Sequence, residues 1–311
     1  MADANSPLFI RPDLIAIAIK FRQDDMIADE VLPRIPTDKQ EFIYLKDRIQ
    51  DWITPVDTEV GRTGAVNVLS NDFQDPVYLA TRNQGLDEVV PNQDQMNGPT
   101  ESALMRATQK VMSLVELKRE MRASAIFMNA NNFGFSVALT GTALFSVYAG
   151  YVSPLITLKY YLDQCFKRPN RLVMGRAVWT QLSQHPAILT AAFGGVNPQG
   201  GQSVSKQRLA DILEIKDIVV GDGWINIANK GQPVNMQRIW GNMLAGIYQG
   251  DAATRESGNT WGYTAQFGDR IAGTIPTMDV GLFGGVKVRA GESVIEVVSA
   301  PQFGFQLAPC I

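Results

Sequence analysis

One long helical pattern, from Pro99 to Ala130, constrains what this chain of 311 residues can fold into. After Pro99, no Pro or Gly interrupts the sequence until Gly134. Pro99 suits a first helical position because its missing N–H would be unpaired there, and Glu101 in the first turn suits the helix dipole. At 1.5 Å per residue the predicted helix is roughly 45 Å long, so the other elements must pack along it.

The side chains of this stretch predict which face is buried. Apolar residues fall along one broad stripe at helical spacing: Leu104, Ala107, Val111, Leu114, Met121, Ala125 and Met128. Met105 and Met112 lie away from that stripe. Charged residues fill much of the remainder: Arg106, Glu116, Arg119 and Glu120. Glu116 and Glu120 form an i,i+4 pair whose charge Arg119 and Arg122 can offset. The pattern fits a long core helix, or a spine that carries a sheet on one side and another subunit on the other.

Composition limits the classes of function. The length suggests two domains. A net charge of −3 argues against a general nucleic-acid-binding protein, because phosphate binding needs clustered Lys and Arg. Cys165 and Cys310 share no metal-ligand spacing and imply no disulfide framework, as expected in a reducing compartment. The N-terminus has no signal-peptide pattern, and no apolar run is long enough to span a bilayer. We expect a soluble protein, kept in the cytoplasm and without a membrane partner.

The first 40 residues are predicted to form an arm rather than a domain. Several prolines favour extended backbone there, and Leu14–Ile19 is too short to be assigned to a helix or a strand. Such a segment buries little within itself, so it must lie on its own chain or on a neighbour. Five apolar residues of the arm and of the segment that follows it lack an evident partner nearby: Leu14, Ile15, Ile17, Ile19 and Ile43. We expect other subunits to cover them.

Residues 41–96 are predicted to form an extended two-stranded loop. Phe42–Leu45 and Val77–Thr81 have strand composition and lie at either side of a long polar middle. An isolated hairpin is marginal in water. We therefore expect this one to be mobile alone or held by a partner surface.

The remainder predicts a mixed fold with an α/β-like middle. The predicted strands are Phe135–Leu139, Ala143–Val147, Arg171–Gly175, Ile215–Gly221 and Trp224–Ala228. The predicted helices are Pro154–Phe166, with Ser153 as its N-cap, and Arg176–Leu182. From Thr264 the pattern becomes β-rich to the end of the chain.

No motif in the sequence indicates catalysis. The Gly-rich loop Ala192–Ser205 lacks the ending of a P-loop and the glycine spacing of a dinucleotide turn, so we interpret it as a mobile surface loop. His185 is the only histidine, has no partner for a metal site, and is interpreted as structural. Asp24 and Asp25 are interpreted as a solvated turn. The sequence thus predicts no catalytic residue, no cofactor-binding residue and no metal ligand.

The order of these elements resembles the major capsid proteins of tailed bacteriophages, which have the Hong Kong 97-type fold. Local sequences carry the likeness: IADEVLPRIPTDKQEFIYLKDR (27–48), LVELKREMRASAIFMNANNF (114–133), PNRLVMGRAVWTQLSQHPAI (169–188), IWGNMLAGIY (239–248) and the final IEVVSAPQFGFQL. The second of these resembles the family's spine helix, with its Arg-Glu pair at Arg119 and Glu120. The resemblance covers nearly the whole chain, and its pattern is most similar to that of transposable, Mu-like phages.

The resemblance implies an α+β fold in four parts. These are an N-arm (1–40), an extended loop (41–96), a peripheral domain (97–150 with 263–311) that carries the spine helix at about 99–130, and an axial α/β domain (151–262).

The resemblance also implies a structural function without enzymatic activity. Copies of the chain would form hexamers and pentamers that close into an icosahedral head around double-stranded DNA, without sequence-specific binding to it. Portal and scaffold proteins, and minor or decoration capsid proteins, would be its partners. The protein would be found in the virion, and in the host cytoplasm during assembly.

Two alternatives remain at this point. An encapsulin-like compartment shell resembles the same fold but encloses cargo enzymes. A soluble α/β enzyme that uses the 192–205 loop would lack the motifs that catalysis normally needs.

The sequence also predicts a shell without covalent cross-links. In some members of the resembled family, a Lys near the tip of the extended loop joins an Asn of a neighbouring subunit, and only a neutral Lys has the lone pair for this attack. No Lys occurs from Asp47 to Met96, and we expect Lys39 and Lys46 to lie at the base of the loop. Particles boiled in SDS and reducing agent should run as one band near 34.2 kDa. A ladder of larger bands would contradict this prediction.

Overall fold

The computed structural model describes residues 8–20, 25–47, 53–68, 74–97, 103–194, 202–250 and 260–311. Its helices are α1 (Pro12–Lys20), α2 (Ala28–Val31), α3 (Asn92–Asn97), α4 (Ala103–Met128), α5 (Pro154–Gln164), α6 (Arg176–Ser183), α7 (Pro186–Phe193) and α8 (Lys206–Leu213). Its strands are β1 (Phe9–Ile10), β2 (Arg34–Thr37), β3 (Glu41–Asp47), β4 (Gln74–Ala80), β5 (Arg82–Pro91), β6 (Phe135–Val137), β7 (Arg171–Gly175), β8 (Asp217–Gly221), β9 (Trp224–Asn226), β10 (Met236–Arg238), β11 (Leu244–Ile247), β12 (Gly262–Thr277), β13 (Gly285–Val298) and β14 (Gly304–Leu307).

The long helix α4 lies against a sheet built on two long strands. β12 and β13 pair antiparallel, β5 pairs with the other side of β13, and the arm strands β1 and β2 pair with β12. Ala107 of α4 packs with Val90 and Val288 of this sheet. The helix thus serves as the spine along which the sheet and the arm are arranged, as its length predicts.

A second sheet has the strand order β6-β14-β11-β7-β8 and organises the middle of the chain. Because successive side chains of a strand point to opposite faces, Leu172 and Met174 of β7 pack in one core cluster while Val173 packs in another. The first cluster lies among the helices α5 to α8. The second brings the sheet against the C-terminal end of the spine, where Phe127 contacts Trp240 and Trp261 with ring centroids 5.4 and 4.5 Å apart.

Most predicted elements are confirmed, and one is wrong. The spine occupies Ala103–Met128, while its predicted beginning at Pro99 lies outside the described residues. The strand Arg171–Gly175 is found with the predicted bounds, and the helix after Ser153 ends two residues early, at Gln164. The predicted strand Ala143–Val147 is instead a 3-10 turn at Gly141–Ala143 followed by irregular backbone. Its Phe145 is fully buried, and that burial explains the apolar pattern.

The buried face of the spine differs from the predicted stripe. Leu114, Ala125 and Met128 are exposed, whereas Met112 is fully buried. Three of the charged residues that were expected to fill the rest of the surface are buried: Glu116, Arg119 and Glu120. The predicted stripe is confirmed at Ala107 and Val111, which are buried, and is wrong towards the end of the helix. There Arg119 and Glu120 are buried instead, because groups of the arm, the sheet and Trp240 hydrogen-bond to them.

The arm is held on its own chain over much of its length. Leu14–Ile19 lies within a helix, α1, whose Leu14 and Ala18 are buried against Val111 and Met112 of the spine. The expectation that Leu14, Ile15 and Ile17 lack intrachain partners was therefore wrong. Ile19 and Ile43 fit it better, since each is 54% exposed.

The paired part of the extended loop is shorter than the predicted 41–96. β3 and β4 form the hairpin, with Glu41 opposite Ala80 and Asp47 opposite Gln74. Residues 82–97 instead form β5 and α3, and β5 belongs to the spine's sheet. In the backbone register Lys46 lies opposite Asp75, one position before the end of the ladder that is further from Glu41. Its predicted position at the base of the loop was therefore wrong. The predicted absence of cross-links now rests only on the lack of Lys beyond it.

The two ends of the predicted peripheral domain also lie partly in the other sheet. β6 and β14 are strands of the middle sheet, and Leu139, Phe145 and Leu307 pack in its core.

Cys165 and Cys310 are buried free thiols. Among the described residues, no helix is long and apolar enough to cross a bilayer. The centre of the predicted loop Ala192–Ser205, residues 195–201, lies outside the described residues, as does Asp24.

Candidate assembly surfaces

A buried network of charges joins the arm to the spine. Arg119 is 2% exposed, and its Nη1 donates to Oδ1 of Asp29 in α2. Its Nη2 donates to the carbonyl oxygen of Leu32 at 3.3 Å and to Oγ1 of Thr264 in β12 at 3.1 Å. One guanidinium therefore contacts the arm and the sheet from the middle of the spine.

The network continues through two more arginines. Arg34 of β2 donates to Asp29 at 2.7 Å and to Glu292 of β13 at 2.6 Å. Arg270 of β12 donates to the same Glu292 at 3.3 Å, to Glu116 of the spine at 2.8 Å, and to the carbonyl oxygen of Ala18 at the end of α1 at 2.9 Å. Because a misplaced arm would leave buried charges unpaired, this network fixes the position of the arm.

Glu120 links three parts of the chain through a single carboxylate. It is fully buried and accepts hydrogen bonds from the backbone N–H groups of Ile27 and Ala28, at 3.0 and 2.8 Å, and from Nε1 of Trp240 at 2.5 Å. Burial raises the pKa of Glu120, and the three donors offset only part of that effect. The arm, the spine and the aromatic cluster meet at this side chain.

Asp29, in contrast to Glu120, has a lowered pKa. Burial acts to raise its pKa, but the nearby charges of Arg119 and Arg34 outweigh burial and lower it to about 2. The carboxylate is thus ionised at every physiological pH and holds both guanidinium groups.

The hairpin β3–β4 has one anchored face and one open face. Phe42 is buried, and Leu79 opposite it packs on the same cluster as Ile35 and Tyr263. Ile43 and Tyr78, which also lie opposite each other, are exposed. Beyond the ladder, every residue from 53 to 68 is exposed. The hairpin is therefore fixed at its base and offers apolar surface to a partner further out.

His185, one of the residues considered for chemistry, has a structural role in the described part of the chain. His185 is buried, and its Nδ1 accepts from the N–H of Ala187 at 3.2 Å, so it caps the start of α7. Burial lowers the pKa of His185, which keeps the ring neutral. In the part of the chain that the structure describes, no cluster of His, Cys, Asp or Glu has the grouping of a metal site.

Comparisons with known proteins identify the family of this chain. No protein-family model matches the chain. The major capsid protein of Pseudomonas phage JBD67 is 40% identical over 305 residues, which cover 97% of each chain. The chain belongs to the phage major capsid proteins.

Solved structures agree on the fold of this capsid protein. A phage-related protein from Bordetella bronchiseptica matches it with a TM-score of 0.73 at 19% identity, over 97% of this chain and 98% of that one. The capsid of cyanophage P-SCSP1u matches with a TM-score of 0.59 at 12% identity, over 92% of this chain and 88% of that one. The α+β, Hong Kong 97-type fold predicted from the sequence is thus confirmed, while the assignment to Mu-like phages stays a prediction.

The sequence did not predict that the charged residues of the arm, the spine and the sheet form one buried network. Arg119 and Glu120 were noted as a family pair, but Asp29, Arg270 and Glu292 carried no signal of their own. The usable hint was the density of charge on a helix expected to be a core element. A buried Arg needs polar partners, but nothing in the sequence located those of Arg119 at Asp29, Leu32 and Thr264, which lie 87 or more residues away.

We predict that Glu120→Ala destabilises the capsid protein subunit strongly. The change leaves two backbone N–H groups and the Trp240 indole without an acceptor in a buried site, at a cost of roughly 3–5 kcal/mol. The matched control is Arg289→Ala, which removes an exposed pair with Asp87 and should cost less than about 1 kcal/mol. Urea unfolding of both variants measures the difference, and equal losses would contradict the role of Glu120.

A second prediction concerns the pH dependence of stability. Since the pKa of Asp29 is lowered in the folded state, its contribution is complete above about pH 4 and is lost as the pH falls towards 2. The contribution of Asp29 to the free energy of unfolding is about 1–2 kcal/mol, because solvent screens a side chain that is one-third exposed. Asp29→Asn should be less stable than the wild type by this amount at pH 7, and the gap should close between pH 4 and pH 2. A gap that is constant with pH would contradict the prediction.

Proposed function

We propose that copies of this capsid protein form hexamers and pentamers that close into an icosahedral head around phage double-stranded DNA. The observation that carries the proposal is the hairpin β3–β4, which is anchored at Phe42 and exposes Ile43, Tyr78 and the whole of residues 53–68. Such a projecting element gains burial only from another molecule. Closed symmetry then lets every copy bury the same surfaces.

The proposal extends to the setting of the shell. The chain acts as a structural protein without enzymatic activity, resides in the virion and assembles in the host cytoplasm. Portal, scaffold and minor or decoration capsid proteins are its proposed partners. A net charge of −3 suits a container that encloses DNA without binding it tightly or reading its sequence.

The predicted parts keep their proposed roles with revised bounds. We propose 1–40 as the arm and 41–80 as the extended loop, with 82–97 joined to the peripheral domain because β5 pairs with β13. The axial domain takes the residues of the middle sheet, including β6 and β14.

An encapsulin-like shell is the second candidate, because the fold alone does not separate a virus head from a cellular compartment. The relative at 40% identity is a phage protein, and this favours the head. Shells purified from infected cells should contain DNA, whereas a compartment would contain protein cargo.

We predict that the purified protein forms closed particles and that residues 53–68 are required for this. Replacing them with Gly-Ser-Gly-Ser removes no buried side chain, so the subunit should keep its circular dichroism and melting temperature but fail to form particles in electron micrographs. The control is Gly61→Ala within the same segment, where an added Cβ meets nothing within 4 Å. Particles formed by the replacement variant as readily as by the wild type would contradict the proposal.

A further inference from the structure

We propose that proton uptake by His185 opens the corner between α6 and α7, so that this part of the subunit loosens in mildly acidic solution. The corner consists of residues 182–189. The inference concerns the single folded chain and does not depend on the proposed shell. It rests on where the imidazole lies, on what it bonds to and on which groups surround it.

His185 lies at the point where α6 ends and α7 begins. Its backbone N–H donates to the carbonyl oxygen of Leu182 at 3.1 Å. Its own carbonyl oxygen accepts from the N–H groups of Ile188 and Leu189, both at 3.0 Å. The last turn of α6 and the first turn of α7 are therefore joined through the backbone of this one residue.

The imidazole adds a further bond that only the neutral ring can make. Its Nδ1 accepts from the N–H of Ala187 at 3.2 Å, so the proton of the neutral ring is on Nε2. A second proton can bind only at Nδ1, where it would point at the N–H of Ala187 and break the cap. The imidazolium would also lie at the N-terminal end of α7, where the helix dipole disfavours a positive charge.

The surroundings of the ring do little to compensate for such a charge. The side chain is fully buried, and Nε2 has no hydrogen-bond partner. The rings of Tyr148 and Tyr151 stand almost perpendicular to the imidazole, with centroids 5.4 and 4.6 Å from its own. Burial lowers the pKa of His185, and the backbone of Val147 opposes this only in part. A protonated ring therefore gains by leaving this site for water.

The charged side chains of the neighbouring helices do not bond to the ring. α7 packs against α5, α6 and α8. The charged side chains of these helices are all exposed: Lys159, Asp163, Arg176, Lys206, Arg208 and Asp211. Since Nδ1 is bonded to Ala187 and Nε2 has no partner, none of them pairs with the imidazole. The titratable groups in contact with it are Tyr148 and Tyr151, which are uncharged near neutral pH.

Opening of the corner releases the segments that it holds. The hydroxyl of Tyr148 donates to Oε1 of Gln181, in the last turns of α6, at 2.6 Å. The carbonyl oxygen of Ser183 accepts from the N–H of Val204 at 3.0 Å. The corner thus connects residues 147–151 with the segment that leads into α8.

Acid favours the open corner. A solvated histidine titrates near pH 6.5, whereas the closed corner keeps the ring neutral, so the open form gains stability relative to the closed one as the pH falls. For a ring that stays neutral while closed, the opening constant rises roughly tenfold between pH 7.5 and pH 5.5. Glu120 cannot imitate this effect, because its raised pKa makes the folded state more stable as the pH falls.

Hydrogen exchange on the wild-type subunit tests the inference. After correction for intrinsic exchange, the amides of residues 187–193 should open roughly tenfold more often at pH 5.5 than at pH 7.5. They should also open more often than those of the spine, since equal opening would mean that the whole subunit unfolds. Because His185 is the only histidine, its NMR titration needs no assignment, and its midpoint should lie below about pH 6.5. Unchanged opening, opening equal to that of the spine, or a midpoint at or above this value would overturn the inference.

Two variants separate the cap from the proton. His185→Asn keeps an N-cap acceptor that does not titrate, so the opening of α7 should be the same at both pH values. His185→Ala has no acceptor, so α7 should open roughly fivefold more often than in His185→Asn at both values. A pH dependence in His185→Asn equal to that of the wild type would overturn the inference. If a variant does not fold, the two wild-type measurements decide the question alone.

Discussion

The rest of the structure depends on the buried guanidinium of Arg119. It lies in the middle of the spine helix and bonds at once to Asp29 of the arm and Thr264 of the sheet. Burying this charge is costly unless its partners are in place. The position of the arm on its own subunit is therefore set by electrostatics as much as by packing.

This constraint separates two kinds of surface. The arm between Ile27 and Thr37 is held by Glu120, Arg34 and a parallel pairing with β12, so it is part of the subunit. The hairpin leaves the same region with only its base anchored. A subunit built in this way is rigid where it must keep its shape and open where it must meet another copy.

Periodicity in the sequence predicted the spine, the strand Arg171–Gly175 and the hairpin, because each is a local pattern. It did not predict that Glu116 and Glu120 of the spine are buried, since both find their partners more than 90 residues away in the chain. The same limit explains the missed role of β14, whose neighbours β6 and β11 come from distant segments. The capsid family was found from the ordered set of elements, and no single residue would have revealed it.

In the free subunit, residues 27–37 of the arm are folded on their own chain, whereas residues 53–68 of the extended loop are exposed. Hydrogen exchange on unassembled subunits tests it directly. We predict that amides of residues 27–37 are protected to a similar degree as those of the spine, and that residues 53–68 exchange freely. Exchange of residues 27–37 as fast as that of residues 53–68 would contradict it.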